Sequence, residues 1–238
     1  METRTVDWTA LRGSEPTAPG AGGLRERKKR QMRQQLSDTA TAMFIQHGFD
    51  AVRVAEIAAA CGVSEKTVYN YFPTKESLLL DRWDTTLTSL QTGLGDPELS
   101  PTHAALKILS DELHGLTSWM AAQEDVVAAG ALIRRFGTLI NATPALRAHQ
   151  RDMTDQLIAV AAAVLADRAR MSPDDPEPQI AATALLGLWQ IQYNSLTRHL
   201  DGTRTPAQIH RAVSDDVARA ARIIETGLAS LDLADHYR

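Results

Sequence analysis

Residues 54–72, VAEIAAACGVSEKTVYNYF, decide how the rest of the chain is read. Val54, Ile57, Ala58 and Cys61 recur at i, i+3, i+4 and i+7, the spacing of one apolar helical face. Gly62 comes next, a residue that tolerates positive φ just past a helix end. Val63 supplies an apolar plug for the turn, and the hydroxyl of Ser64 is placed to cap a new helix. That second helix, Glu65 to Tyr71, buries Val68 and Phe72 and leaves Lys66, Thr67, Tyr69 and Asn70 outward. Helix, short glycine turn and short polar helix make a helix-turn-helix pattern. Its second member has the shape that enters the major groove of DNA.

Working outward toward the N-terminus, Phe49 to Arg53 bridges to a longer helix, Leu24 to His47, which closes at Gly48. Its inner face carries Leu36, Ala40, Met43 and Phe44. Arg25, Arg27, Lys28, Lys29 and Arg30 crowd its start, where the macrodipole makes cations unfavourable unless an anion neutralises them. Phosphate or minor-groove contact satisfies that condition better than solvent does. Residues 1–23 have no periodicity, contain PTAPGAGG and read as a disordered arm.

Toward the C-terminus, Pro73 ends the reading helix. Thr74 caps the next helix, which runs from Lys75 to about Leu94 and joins the motif to the remainder of the chain. Lys75 and the free amides at that helix start form a phosphate clamp.

Charge respects the same division. Residues 24–75 hold nine Lys/Arg against five Asp/Glu, whereas residues 76–238 hold fourteen against twenty-one. A basic module on an acidic body fits contact with phosphates at one end only, which the overall net charge of −4 conceals.

The string FDAVRVAEIAAACGVSEKTVYNYFPTKESLL resembles the N-terminal DNA-binding domain of the TetR family of bacterial transcriptional regulators. The likeness covers about Arg25 to Leu80, and its GVS..TVY.YF..KE core is highly specific. It implies that Lys66, Thr67, Tyr69, Asn70 and Tyr71 lie on or beside the reading helix, with Ser64 at its start and Lys75 at the DNA backbone. Arg25 and Lys28 join them from the first helix. One departure stands out. Arg53 occupies the place where the family usually has a threonine that caps and touches phosphate. Arginine cannot cap, but it can reach the same phosphate with a stronger charge.

Beyond residue 95, Ser-Pro or Thr-Pro recurs at 100–101, 143–144, 172–173 and 205–206, an N-cap before an N1 proline. These signals predict helices of about 101–121, 124–141, 144–170, 176–200 and 206–231. With 44 % apolar residues, 5 % aromatics and no alternating strand-like run, the chain reads as all-α. A three-helix helix-turn-helix domain (24–75) then precedes a larger helical domain (76–238), which the resemblance makes an effector-binding and dimerisation domain.

Two helices are expected to meet their copies in a homodimer. Residues 180–200 are apolar nearly all round (Ile180, Ala184, Leu185, Leu188, Trp189, Ile191, Leu196) and need cover on two sides. The last helix carries Ile209, Val213, Val217, Ala220, Ile224 and Leu228 as one stripe. Leu185, Leu188, Val213, Val217 and Ile224 are the interface residues expected from this pattern, the alternative being burial within one subunit. For a small-molecule effector the pocket residues are Trp119, Phe136, Trp189 and Tyr193, with Met153 a weaker member. Side chains of this kind are more often plain core.

Catalysis finds no support. The seven histidines (47, 103, 114, 149, 199, 210 and 236) are scattered, without HExxH, paired cysteines or a Gly-rich phosphate loop. Asp174 and Asp175 lie in a Pro-rich turn, where capping suffices. No metal or cofactor is expected. The single Cys61 reads as a reduced core residue, and no apolar run approaches the roughly 20 residues of a membrane span. Together with the resemblance, these features imply a cytoplasmic protein with double-stranded DNA as partner, expected to be a ligand-released repressor on a palindromic operator. A DNA-binding regulator without effector, or an all-helical enzyme or interaction module, are the alternatives.

Overall fold

The computed structural model describes residues 23–80 and 83–228, and among these every regular element is helical. In chain order they are α1 (Leu24–His47), α2 (Val54–Ala60), α3 (Glu65–Tyr71), a single 3₁₀ turn (Glu76–Leu78) and α4 (Trp83–Gly95). Then come α5 (Pro101–Ala121), α6 (Val126–Ala142), α7 (Pro144–Ala169), α8 (Pro176–His199) and α9 (Pro206–Leu228). Residues 1–22 of the expected arm (1–23) and the end of the last expected helix, 229–231, lie outside the described residues.

The chain forms two compact units, Met1–Arg82 with Leu132–Gln150, and Trp83–Ala131 with Arg151–Arg238. In the first, α1, α2 and α3 close around Leu36, Ala40, Phe44, Ile57, Val68, Phe72 and Leu78. Ile140 and Leu146, from the end of α6 and the start of α7, are buried in the same cluster, with Phe136 and Leu139 packed against it. The N-terminal core is thus completed by a segment some sixty residues further along the chain. α6 and α7 each contribute residues to both units.

The 74–94 segment is not the single helix expected. Thr74 does cap, its Oγ1 accepting from the Ser77 amide at 3.1 Å, but what it starts is the 3₁₀ turn. Leu78 and Leu79 are both buried. The carbonyl of Leu78 accepts from the buried Ser37 hydroxyl at 2.7 Å. That bond ties the turn to α1, and α4 is a separate helix.

In the second unit α9 packs against both α8 and α5, and α5 also packs against α4. α7 reaches the end of α4 through Arg168, whose guanidinium donates to the Asp96 carbonyl at 3.0 Å. Three of the four Ser/Thr-Pro signals mark helix starts, at Pro101, Pro144 and Pro206. The fourth does not. Ser172 sits in a turn, its amide donating to Asp175 Oδ2 at 2.8 Å, and α8 begins at Pro176 behind Asp175.

α8 differs from expectation in its cover. Within the chain it is buried on one side only, through Leu185 and Leu188, whereas Ile180 is 64 % and Ile191 39 % exposed. Leu185, Leu188, Val213 and Val217 are at most 2 % exposed, so they hold α8 and α9 within one chain and have no surface left for a second copy. Of the five expected interface residues only Ile224 keeps part of its surface, being half-buried.

Candidate nucleic-acid interface

The motif forms as its residues dictate. Gly62 adopts φ +67°, a conformation that a β-carbon would strain, and this turns the chain between α2 and α3. Ser64 Oγ accepts from the Thr67 amide at 3.1 Å and lies 2.9 Å from the Thr67 hydroxyl, which caps α3. Val68 and Phe72 are buried beneath.

What α3 leaves outside is polar. Ser64, Lys66, Tyr69 and Asn70 are exposed, Tyr69 by 47 %, and Thr67 is half-buried. Tyr71 belongs elsewhere: it is half-buried and packs against the N-terminal core, so its ring is a support for α3. On α1, Arg25, Arg27, Lys28, Lys29 and Arg30 are all exposed.

Arg53 precedes α2 and supplies no side-chain cap. Glu56 caps instead, its Oε2 accepting from the Arg53 amide at 2.8 Å and its Oε1 from the guanidinium at 3.1 Å. The amide bond, more than the guanidinium, holds the Glu56 carboxyl below its ordinary range. This is the glutamate half of a capping box. The Arg53 side chain remains 78 % exposed and within reach of an external anion.

Lys75 does not face outward as a clamp. Its Nζ donates to the Phe49 carbonyl at 2.6 Å and stands 4.3 Å from the Phe49 ring centroid and 5.6 Å from that of Phe44. The lysine closes the corner between α1 and α2 from inside. Arg33, which the motif's pattern does not single out, does the same for α3. Its Nη1 donates to the Tyr71 carbonyl at 3.0 Å and its guanidinium carbon lies 4.8 Å from the Phe72 ring centroid. A signal was there: Arg33, Leu36, Ala40 and Phe44 fall on one row of α1, so the arginine sits one turn before the core begins.

The residues expected around an effector fall in both units. Phe136 packs against the N-terminal core. Trp119, Trp189, Tyr193 and Met153 are in the second unit, Trp119 buried and the other three half-buried. There the Trp189 indole donates to Glu112 Oε2 at 3.1 Å, and the Thr86 hydroxyl donates to Glu112 Oε1 at 3.2 Å, so one carboxylate on α5 ties α4 and α8. Among the described residues no three His, Cys, Asp or Glu side chains gather as a metal site, and no helix is long and apolar enough to cross a membrane.

Comparison with known proteins agrees with this geometry. Residues 36–81 match the family described as "Bacterial regulatory proteins, tetR family", and residues 118–228 match the "MftR C-terminal domain". The chain is 27 % identical over 177 residues to the HTH-type transcriptional regulator TcmR of Streptomyces glaucescens, covering 74 % of this chain and 75 % of that protein. It is 28 % identical over 153 residues to the putative mycofactocin biosynthesis transcriptional regulator MftR of Mycobacterium tuberculosis, covering 64 % and 73 %. In fold it resembles NalD of Pseudomonas aeruginosa, described as the secondary repressor of a multidrug efflux pump. The TM-score is 0.50 at 20 % identity, over 81 % of this chain and 97 % of that one. The matched families and relatives are transcriptional regulators and not enzymes.

Proposed function

This chain belongs to the TetR family of bacterial transcriptional regulators, and on that premise we propose that it is a ligand-released repressor acting as a homodimer on a palindromic operator. The observation that carries the DNA reading is the outer face of α3, where Lys66, Tyr69 and Asn70 stand exposed on a helix pinned from below by Val68 and Phe72. Side chains on such a face read base edges in the major groove, while the exposed cations of α1 and Arg53 supply sequence-independent attraction to phosphates.

Two copies are needed because one α3 reads too few base pairs to be selective. The surface that supports pairing is the open side of α8, with Ile180 and Ile191, continued by Ile223 of α9, which is 78 % exposed. These replace Leu185, Leu188, Val213 and Val217 as the residues expected to meet across the twofold axis.

The effector is a small apolar or amphipathic molecule held in the second unit around Trp189 and Tyr193. By loosening or tightening the Thr86–Glu112–Trp189 bridge it shifts α4 relative to α5 and α8. A coupling of about 1–3 kcal/mol is enough to lower operator affinity appreciably. DNA as target places the work in the cytoplasm, without a cofactor.

Selection of bound duplexes from a random pool, using the full chain, tests the reading. The expected product is an inverted repeat whose half-sites lie about one helical turn apart. Recovery of no sequence preference would remove the proposal. A thermal-shift screen tests the effector arm, since a ligand at 100 times its Kd adds about 2.7 kcal/mol of stability.

A further inference from the structure

We propose that Arg33 is a positioning residue for DNA reading: it sets the pose of the C-terminal turn of α3 without touching DNA itself. The inference rests on the DNA-binding reading above. α3 has only seven residues, too few to hold itself, so its pose depends on what it is fastened to. Ser64 fastens its first turn, and Val68 and Phe72 fasten its inner side. The last turn carries Tyr69 and Asn70, and its final carbonyls lack partners within the helix. Phe72 and then Pro73, which has no amide hydrogen, follow Tyr71.

Arg33 fills that gap from α1, thirty-eight residues earlier. Its guanidinium donates to the carbonyl of Tyr71, the last residue of α3, at 3.0 Å and lies over the Phe72 ring at 4.8 Å. A planar guanidinium can make both contacts at once, donating to the carbonyl while lying over the ring, which a compact ammonium does less well. A positive charge at this end also complements the helix macrodipole. The five cations that precede it on α1 are all exposed, whereas Arg33 is half-buried. One basic run therefore serves two purposes, attraction through Arg25–Arg30 and aim through Arg33.

The test compares the full-length wild type with Arg33→Met and Arg33→Lys. Each is titrated with the tightest duplex recovered from a random pool and with a scrambled duplex of the same composition, over a series of salt concentrations. Arg33→Met is expected to bind the recovered duplex about tenfold more weakly and the scrambled one less than about twofold, as the lost charged hydrogen bond implies. The salt slope stays unchanged, because no phosphate contact is removed. Arg33→Lys recovers part of the discrimination.

Without DNA, amide exchange over 65–72 is expected to quicken about tenfold in Arg33→Met while α5 stays as in the wild type. Equal loss on both duplexes with the slope reduced by about one would instead make Arg33 a phosphate contact and overturn the proposal. Unaltered discrimination, or unaltered exchange in α3, would overturn it too. If Arg33→Met fails to fold by circular dichroism, the same two readouts on Arg33→Lys decide. A wild type that recovers no duplex removes the DNA reading, and the exchange arm still judges the clamp by itself.

Discussion

α3 and α8 each bury one row of side chains and expose the other, and they differ in what they expose. The outer row of α3 is polar, with Lys66, Tyr69 and Asn70 over a base of Val68 and Phe72. The outer side of α8 sets the aliphatic Ile180 and Ile191 among exposed Thr183, Gln190 and Asn194, over a base of Leu185 and Leu188. A charged outer row is stable in water and remains available to a polyanion. Exposed isoleucines such as Ile180 and Ile191 have a standing reason to be covered by protein, since each buried aliphatic side chain contributes about 1.5–3 kcal/mol. On the proposed reading, a helix's partner follows from the row its own fold leaves open and not from its total hydrophobicity.

The largest expected effect breaks the α8 side. Replacing Ile180 and Ile191 together by glutamate places like charges across the proposed twofold axis and should weaken self-association about 100-fold or more. Sedimentation would show monomer at concentrations where the wild type is dimer, and an unchanged dimer would move the interface away from this row.

Second comes the polar seam between the end of α8 and α9. Asp216 accepts from the Ser195 hydroxyl at 2.6 Å and from Arg198 at 3.3 Å, pairs with Arg219, and lies 3.3 Å from His199 Nε2. The Ser195 bond above all pulls its carboxyl down to about 2. A depressed carboxylate stabilises the fold fully above its ordinary range and loses that contribution as pH falls toward 2. Asp216→Asn should therefore cost about 2 kcal/mol at neutral pH, mostly through the buried hydroxyl bond, because the exposed arginines add little. The gap from wild type should shrink between about pH 4 and pH 2 in urea melts.

The α3 side is sharpened by two smaller changes. Tyr69→Ala should lower discrimination between operator and random DNA by about tenfold with helical content unchanged, as measured by competition binding. Normal operator affinity in that variant would mean the reading row is misassigned. Lys75→Ala should cost about 1 kcal/mol of stability in a thermal melt, through the lost Phe49 carbonyl and ring contacts. It should leave the salt slope of DNA binding intact, where an outward phosphate contact would lower it by about one.

Local chemistry was legible wherever it acts over a few residues. Gly62, Ser64 and the prolines at 101, 144 and 206 each impose a backbone geometry on their immediate neighbours, and the structure obeys them closely. What could not be read depends on residues far apart. The turn at Leu78 is tied down by a hydroxyl on α1, forty-one residues away. Lys75 looked like surface because nothing nearby announces that the Phe49 carbonyl needs a donor. Leu185 and Val213 looked like interface because periodicity marks a face as buried without saying by which chain. Phe136 was grouped with Trp119 and Trp189 on residue type alone, yet it packs with the N-terminal core.

That last placement bears on how such a regulator can be recombined. Ile140 and Leu146 are enclosed beside Leu36, Phe44 and Leu78. A graft that takes residues 24–75 as a free-standing reading head would leave those side chains facing water and the donor core unfilled. Chimeras between relatives that exchange operator specificity therefore have to carry the α6–α7 corner along with the motif, or rebuild its packing in the host.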